Sequence, residues 1–189
     1  MTLMNIHQAG PTDSDAFLRW NLGREGKREL VKGKIIEMMT GATRAHILLV
    51  RRLARFLEDH LDGSQYDVLP TDLGVKTPQG VRYPDIVVDP TGGGSGDLAA
   101  TKPILIAEVL SRYSRRIDLI DKAAEYAGLA SLKAYIVISQ HEPRIWLWTR
   151  QGDTWAGPSI VEGVEAVISI PSLALAIPLR ELYPDAAPK

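Results

Sequence analysis

The chain has 189 residues, of which 45% are apolar and 24% charged, which is enough apolar material for one domain with a sizeable core. Its net charge of −1 excludes a protein that coats nucleic acid through overall basicity, so any such contact has to come from a local patch. The absence of cysteine excludes disulfides, zinc–thiolate sites and thiol nucleophiles, and suits a reducing, cytoplasmic setting. No apolar run reaches the ~18 residues of a membrane-spanning helix, so no membrane partner is expected.

Residues 1–11 read as a loose leader without the basic and apolar regions of a signal peptide. Thr12 or Asp13 can cap a short helix reaching about Trp20. In RELVKGKIIEMM, Lys32-Gly33 lies between two β-rich runs, the pattern of a hairpin or bend. Residues 43–61, TRAHILLVRRLARFLEDHL, are the clearest helix. At ~100° per residue, Leu49, Val50, Leu53, Phe56 and Leu57 share one face, while Arg44, Arg51 and Arg55 line the opposite one. Gly63 is a stop signal.

Strands are expected over 66–76, 82–89, 104–110, 134–139 and 144–150, with a second helix over 116–127 ending at Gly128. TGGGSGDLAAT between two of the strands is a flexible loop. It lacks the Gly-Lys-Ser/Thr of a phosphate-binding P-loop. IPSLALAIPLRELYPDAAPK reads as a proline-punctuated tail. With no internal repeat and no boundary signal, the chain reads as a single domain over 1–189, a mixed α/β layer structure. Residues 104–110, 116–127 and 134–139 form a βαβ-like unit.

Two acids stand out. In RYPDIVVD, strand alternation puts Asp85 on the face of Tyr83 and Val87; in ILIAEVL, Glu108 shares a face with Ile104, Ile106 and Leu110. A carboxylate buried among such residues needs a partner or a proton. Taken singly, Asp85 could simply end a loop and Glu108 could pair with an arginine. Two acids on consecutive strands would repel each other, and a hard divalent cation between them is the natural remedy.

Asp118, Lys122 and Glu125 share a helix face; this is either a solvated salt-bridge ladder or a means for Lys122 to reach the acids. His46 falls on the apolar face of the first long helix, as a satisfied core histidine or as a group facing a cleft. Glu29 and Glu37 flank the hairpin before it, and either can add a carboxylate.

Together the series RELVKGKIIEM, His46, YPDIVV and PILIAEVLSRYSRRIDLIDKAAEYAGLASLKAYIVIS resembles the Uma2 family, formerly a domain of unknown function and grouped with candidate restriction endonucleases. The resemblance runs from about 13 to 182 and is most specific at Pro84-Asp85, Glu108 to Ser111, and Asp118, Lys122 and Tyr126. It implies the PD-(D/E)xK nuclease-like superfamily: a restriction-endonuclease-like central mixed β-sheet flanked by helices, with metal-binding acids on neighbouring strands. The superfamily lysine two residues after the second acid is absent, since Leu110 occupies that position; the resemblance places it on the following helix, at Lys122. SRYSRR also replaces a more common Ser-Pro-Ser-Thr, adding local positive charge.

The resemblance implies a Mg²⁺-dependent endodeoxyribonuclease-like hydrolase. Asp85, Glu108 and Lys122 would be catalytic, and Asp85, Glu108 and the carbonyl of Val109 would hold Mg²⁺ or Mn²⁺. His46, Glu29 and Glu37 would support these groups or add ligands, and Arg112, Arg115 and Arg116 would contact phosphates. The partner would be nucleic acid, with DNA favoured and RNA left open, and a homodimer would suit cutting two strands. The alternative is a catalytically weak or inactive nuclease-fold module that binds nucleic acid or assembles with a partner. A carboxylate-pair glycosidase explains neither Lys122 nor the arginines.

Overall fold

The computed structural model describes residues 6–7, 10–111 and 117–186. Eleven strands form two sheets. The first has the order β1 (Ile6–His7), β3 (Lys34–Met38), β2 (Lys27–Val31), β6 (Gly80–Arg82), β5 (Val75–Thr77), and is antiparallel throughout. The second has the order β11 (Thr154–Glu162), β10 (Arg144–Gln151), β9 (Ala134–Ile138), β8 (Leu105–Val109), β7 (Ile86–Pro90), β4 (Tyr66–Pro70). It is mixed, because β8 pairs parallel with β9 while its other neighbours run antiparallel. The crossover between β8 and β9 contains a π-helical turn, Ile117–Lys122, continuing into α3 (Ala123–Ala127). This is the expected βαβ unit.

Local chemistry explains the boundaries. Asp13 accepts a hydrogen bond from Ala16 N at 2.8 Å and so caps α1 (Ser14–Asn21). Thr43 does the same for His46 N at 3.1 Å, opening α2 (Arg44–His60). Lys32 and Gly33 both take positive φ, 51° and 73°, which is the turn that matches the twist of a two-residue hairpin between β2 and β3. At the far end of α2 the chain turns extended at Leu61, so Gly63 does not end it by a left-handed cap.

Three apolar layers result. The face of the second sheet carrying Ile86, Val88, Leu105 and Ile136 packs on Leu49, Leu53 and Leu57 of α2. Its other face, with Val87, Ile106, Tyr135 and Trp148, is covered by Ala123 and Tyr126 of α3. Phe17 and Leu18 of α1 cover Leu30, Ile35 and Val81 of the first sheet. Asp89, buried at the end of β7, accepts from Thr101 N, Thr101 Oγ1 and Lys102 N at 2.7–2.9 Å, and so ties down the end of the glycine-rich loop.

Two segments depart from the sequence reading. Residues 66–76 and 82–89, each expected as one strand, are each split between the two sheets. Thr71 and Asp72 take left-handed φ of 52° and 63°, breaking the first. Pro84, which has no N–H for a ladder, interrupts the second. The proline-punctuated tail is core: β12 (Val167–Ile170) pairs with β13 (Leu175–Pro178), and α4 (Leu179–Leu182) follows. Pro171 opens a 3₁₀ turn and Pro178 precedes α4, so the prolines begin elements rather than breaking them. Ile168, Ile170, Ile177, Leu179 and Leu182 are all completely buried.

The tail therefore acts as an integral part of the α2 layer. Ile177→Ala should lower stability by about 2–5 kcal/mol, like other buried large-to-small changes. Urea unfolding checks this: the midpoint falls while the slope stays unchanged.

Candidate active site

The site forms where the chain crosses from one sheet to the other. In the β7–β8 ladder Ile86 faces Ala107, so one further step puts Asp85 opposite Glu108. In the β2–β6 ladder Leu30 faces Val81, so one further step puts Glu29 opposite Arg82. Only Tyr83 and Pro84 separate Arg82 from Asp85, and they carry the chain between the sheets. The π-helical turn then brings Asp118 and Lys122 over Glu108.

These groups form one buried network. Lys122 Nζ donates to Glu108 Oε1 at 2.6 Å and lies 3.2 Å from Asp118 Oδ1 and 3.7 Å from Glu29 Oε1. Arg82 bridges two acids, donating to Glu29 Oε2 at 2.7 Å and to both carboxylate oxygens of Glu125. Tyr83 N–H donates to Glu29 Oε1 at 3.3 Å, and Tyr126 OH to Glu108 Oε1 at 3.5 Å. Asp85 is held separately: Val109 N–H donates to Oδ2 at 2.8 Å, and His46 Nε2 lies 3.2 Å from Oδ1.

The electrostatics differ from acid to acid. Burial works to raise the pKa of Glu29, but the charges of Lys122 and Arg82 outweigh it and hold the carboxyl below its ordinary value. Burial also opposes ionisation of Asp85; the hydrogen bond and charge of His46, then the Val109 N–H, hold its pKa down. Glu108 goes the other way. Burial pushes it well above its ordinary value, and Lys122 cannot fully compensate because Asp118 and Asp85 add repulsion. The Lys122 ammonium is locked on: burial works against its charge, but Glu108, Glu29 and Asp118 raise its pKa well above normal.

The structure brings Asp85, Glu108, Lys122, His46 and Glu29 together. Glu37 does not join them. It faces Arg28 across the β2–β3 ladder and pairs with it at 3.5 Å, on the sheet face opposite Glu29. Arg112, Arg115 and Arg116 lie outside the described residues. The solvated ladder on the second helix is not found, because Asp118, Lys122 and Glu125 are all buried. Sequence reasoning missed Arg82 and Glu125 as part of the network. The available signals were a charged residue opening an apolar strand and an acid one turn beyond Lys122.

The network floors a cleft of about 2040 Å³ whose walls come from β2, the β2–β3 hairpin and α2. Among the described residues, no three His, Cys, Asp or Glu side chains gather closely enough to hold a metal unaided. Two carboxylates with a peptide carbonyl, open to cleft water, still suit Mg²⁺, which keeps several waters of its own. The repulsion that Asp118 and Asp85 add at Glu108 also favours an added cation.

Architecture and site together define a nuclease-type fold. A crystal structure of a putative nuclease belonging to DUF820 from Anabaena variabilis matches it with a TM-score of 0.73, over 92% of this chain and 98% of that one. The sequences are 16% identical, so this likeness concerns the fold alone. Residues 14–180 match the model of Uma2, described as a putative restriction endonuclease, and the chain belongs to the Uma2 family. Two uncharacterized proteins of Synechocystis sp. are similar in sequence. One, sll1609, is 31% identical over 132 residues, 67% of this chain and 74% of its own. The other, slr1290, is 29% identical over 143 residues, 74% of each chain. Among the described residues, no helix is long and apolar enough to cross a membrane.

Breaking the network should be costly. Arg82→Met leaves Glu29 and Glu125 without their shared guanidinium, and should lower stability at pH 7 by about 3–5 kcal/mol. Because the folded pKa of Glu29 is lowered, its contribution is present above its unfolded value of about 4.3 and is lost as pH falls through the folded value. The gap between wild type and Arg82→Met should therefore narrow in acid. Urea titrations at both pH values measure it.

Proposed function

We propose that the chain is a metal-dependent nuclease that hydrolyses phosphodiester bonds, with DNA as its substrate. The observation that carries this reading is the placement of Asp85 opposite Glu108 on the floor of an open cleft, in a chain of the Uma2 family. A phosphate diester approaching two carboxylates meets repulsion, so acid pairs of this kind serve phosphate chemistry only with a cation between them. Asp85, Glu108 and the Val109 carbonyl are the groups that would hold Mg²⁺ or Mn²⁺. Bound there, the ion would polarise the phosphoryl oxygen and acidify a water.

The remaining residues hold this pair ready. Val109 N–H and His46 fix both oxygens of Asp85 as an ionised ligand. Lys122 and Tyr126 converge on Oε1 of Glu108 and set the carboxylate's orientation. Glu29 and Arg82 brace Lys122 from below. Such bracing on strands and packed helices keeps a site in geometry before substrate arrives.

One observation favours a second reading, a nuclease-fold module that binds nucleic acid without cutting it. Lys122 lines the cleft but is only 4% exposed, and its ammonium is already committed to three carboxylates.

Incubation of plasmid DNA, oligonucleotide DNA and RNA with Mg²⁺ or Mn²⁺ separates the readings. Wild type should cut DNA, and Asp85→Ala should lose at least ~100-fold, the usual scale for removing a group that stabilises the transition state. Mn²⁺ should raise the melting temperature of wild type and not of Asp85→Ala. Binding of DNA with neither cleavage nor a metal-dependent shift would establish the module instead.

A further inference from the structure

The enclosure of Lys122 leaves a chemical need unmet. In a nuclease built on two acids, some cation has to face the non-bridging oxygens of the phosphate. The ammonium of Lys122 lines the same cleft but is 4% exposed and taken up by Glu108, Asp118 and Glu29.

A different lysine stands on the substrate side. Lys27 begins β2, two residues before Glu29, and strand alternation puts both side chains on one face. Glu29 points into the network, so Lys27 points along the same face towards the cleft, which it lines together with Asp85 and Glu108. It is partly buried, and its cross-strand neighbour is Met38. Among the described residues no hydrogen bond or ion pair holds its ammonium, whereas its cleft neighbours Arg28 and Arg55 are paired with Glu37 and Asp59.

We infer that Lys27, rather than Lys122, supplies the positive charge that meets the substrate's phosphate beside Asp85 and Glu108. Lys122 is then the internal counter-ion of the site. Lys27 lies near enough to Asp85 for the two charges to interact. The ligand chemistry is a phosphodiester oxygen, and a single ammonium recognises it without regard to base sequence. This inference rests on the nuclease reading.

The test uses the whole chain and a labelled DNA oligonucleotide. Binding is measured by fluorescence anisotropy in Ca²⁺ over a range of salt, and cleavage is measured separately in Mg²⁺ or Mn²⁺. Lys27→Ala should weaken binding about five- to tenfold and lower the salt slope by about one, the signature of one lost phosphate contact. Its cleavage should fall further, by about 10–100-fold, if the contact strengthens in the transition state. Lys27→Arg should restore most of the binding, and the melting temperature should not move. Lys34→Ala, on an exposed position outside the cleft, controls for net charge. If wild type binds and cuts while Lys27→Ala does both equally well, the assignment of Lys27 is overturned and the nuclease reading stands. If wild type neither binds nor cuts, both fail together.

Discussion

Among the described residues, four carboxylates, those of Glu29, Glu108, Asp118 and Glu125, are buried with two cations, Arg82 and Lys122. The whole arrangement depends on this imbalance. In a medium less polarisable than water, opposite charges attract strongly, but each ion also loses its hydration, so a buried set is stable only if every member is well partnered. Arg82 meets this with a fork to two acids, and Lys122 with three carboxylates around one ammonium. Burial, with the repulsion of Asp118 and Asp85 added, pushes the Glu108 carboxyl well above its ordinary value. Glu108 lines the cleft and stands opposite Asp85, so the least favourable charge in the network lies on the cleft floor.

The fold makes that concentration of charge tolerable by surrounding it with fixed elements. Strands β8 and β9, which lie beneath it, are among the most completely buried in the chain, and α2 and the tail close their far face. The short crossing at Tyr83-Pro84 lets one stretch of chain contribute Arg82 to one sheet and Asp85 to the other. Side chains separated by only two residues can then face the same cluster from different layers. The π-helical turn has a similar use: π turns recur at functional sites because they present side chains that a regular α-helix would rotate away. Here both Asp118 and Lys122 point inward.

Much of this was legible in the residues themselves. Glu108 announced itself as a carboxylate inside an apolar strand, and the caps, the Lys32-Gly33 hairpin and the βαβ unit all followed from local chemistry. Other features needed long-range information. Glu29 and Glu37 look equivalent in sequence, each flanking the same hairpin. The pairing register alone puts the first on the network's face and the second beside Arg28. Arg82 looked like the edge of one long strand, and nothing local shows that this strand breaks at Pro84 or that its arginine turns inward to two acids. The tail was misread because prolines suggest irregular chain, whereas these prolines start elements whose isoleucines and leucines fill the core.

The charge imbalance has a consequence that joins stability to function. A cation bound between Asp85 and Glu108 would offset the repulsion between these two acids, so its binding energy would appear partly as folding energy. The lysine's location fits this economy. At position 110, on the strand itself, the chain has Leu110, which belongs to the apolar layer of Tyr135, Val137 and Trp146. Coming from the helix, Lys122 reaches Glu108 and contacts three acids at once. It stabilises the network without occupying the open side of Glu108. Held in this way, Lys122 joins the helix to the strand while Asp85 and Glu108 still line the cleft.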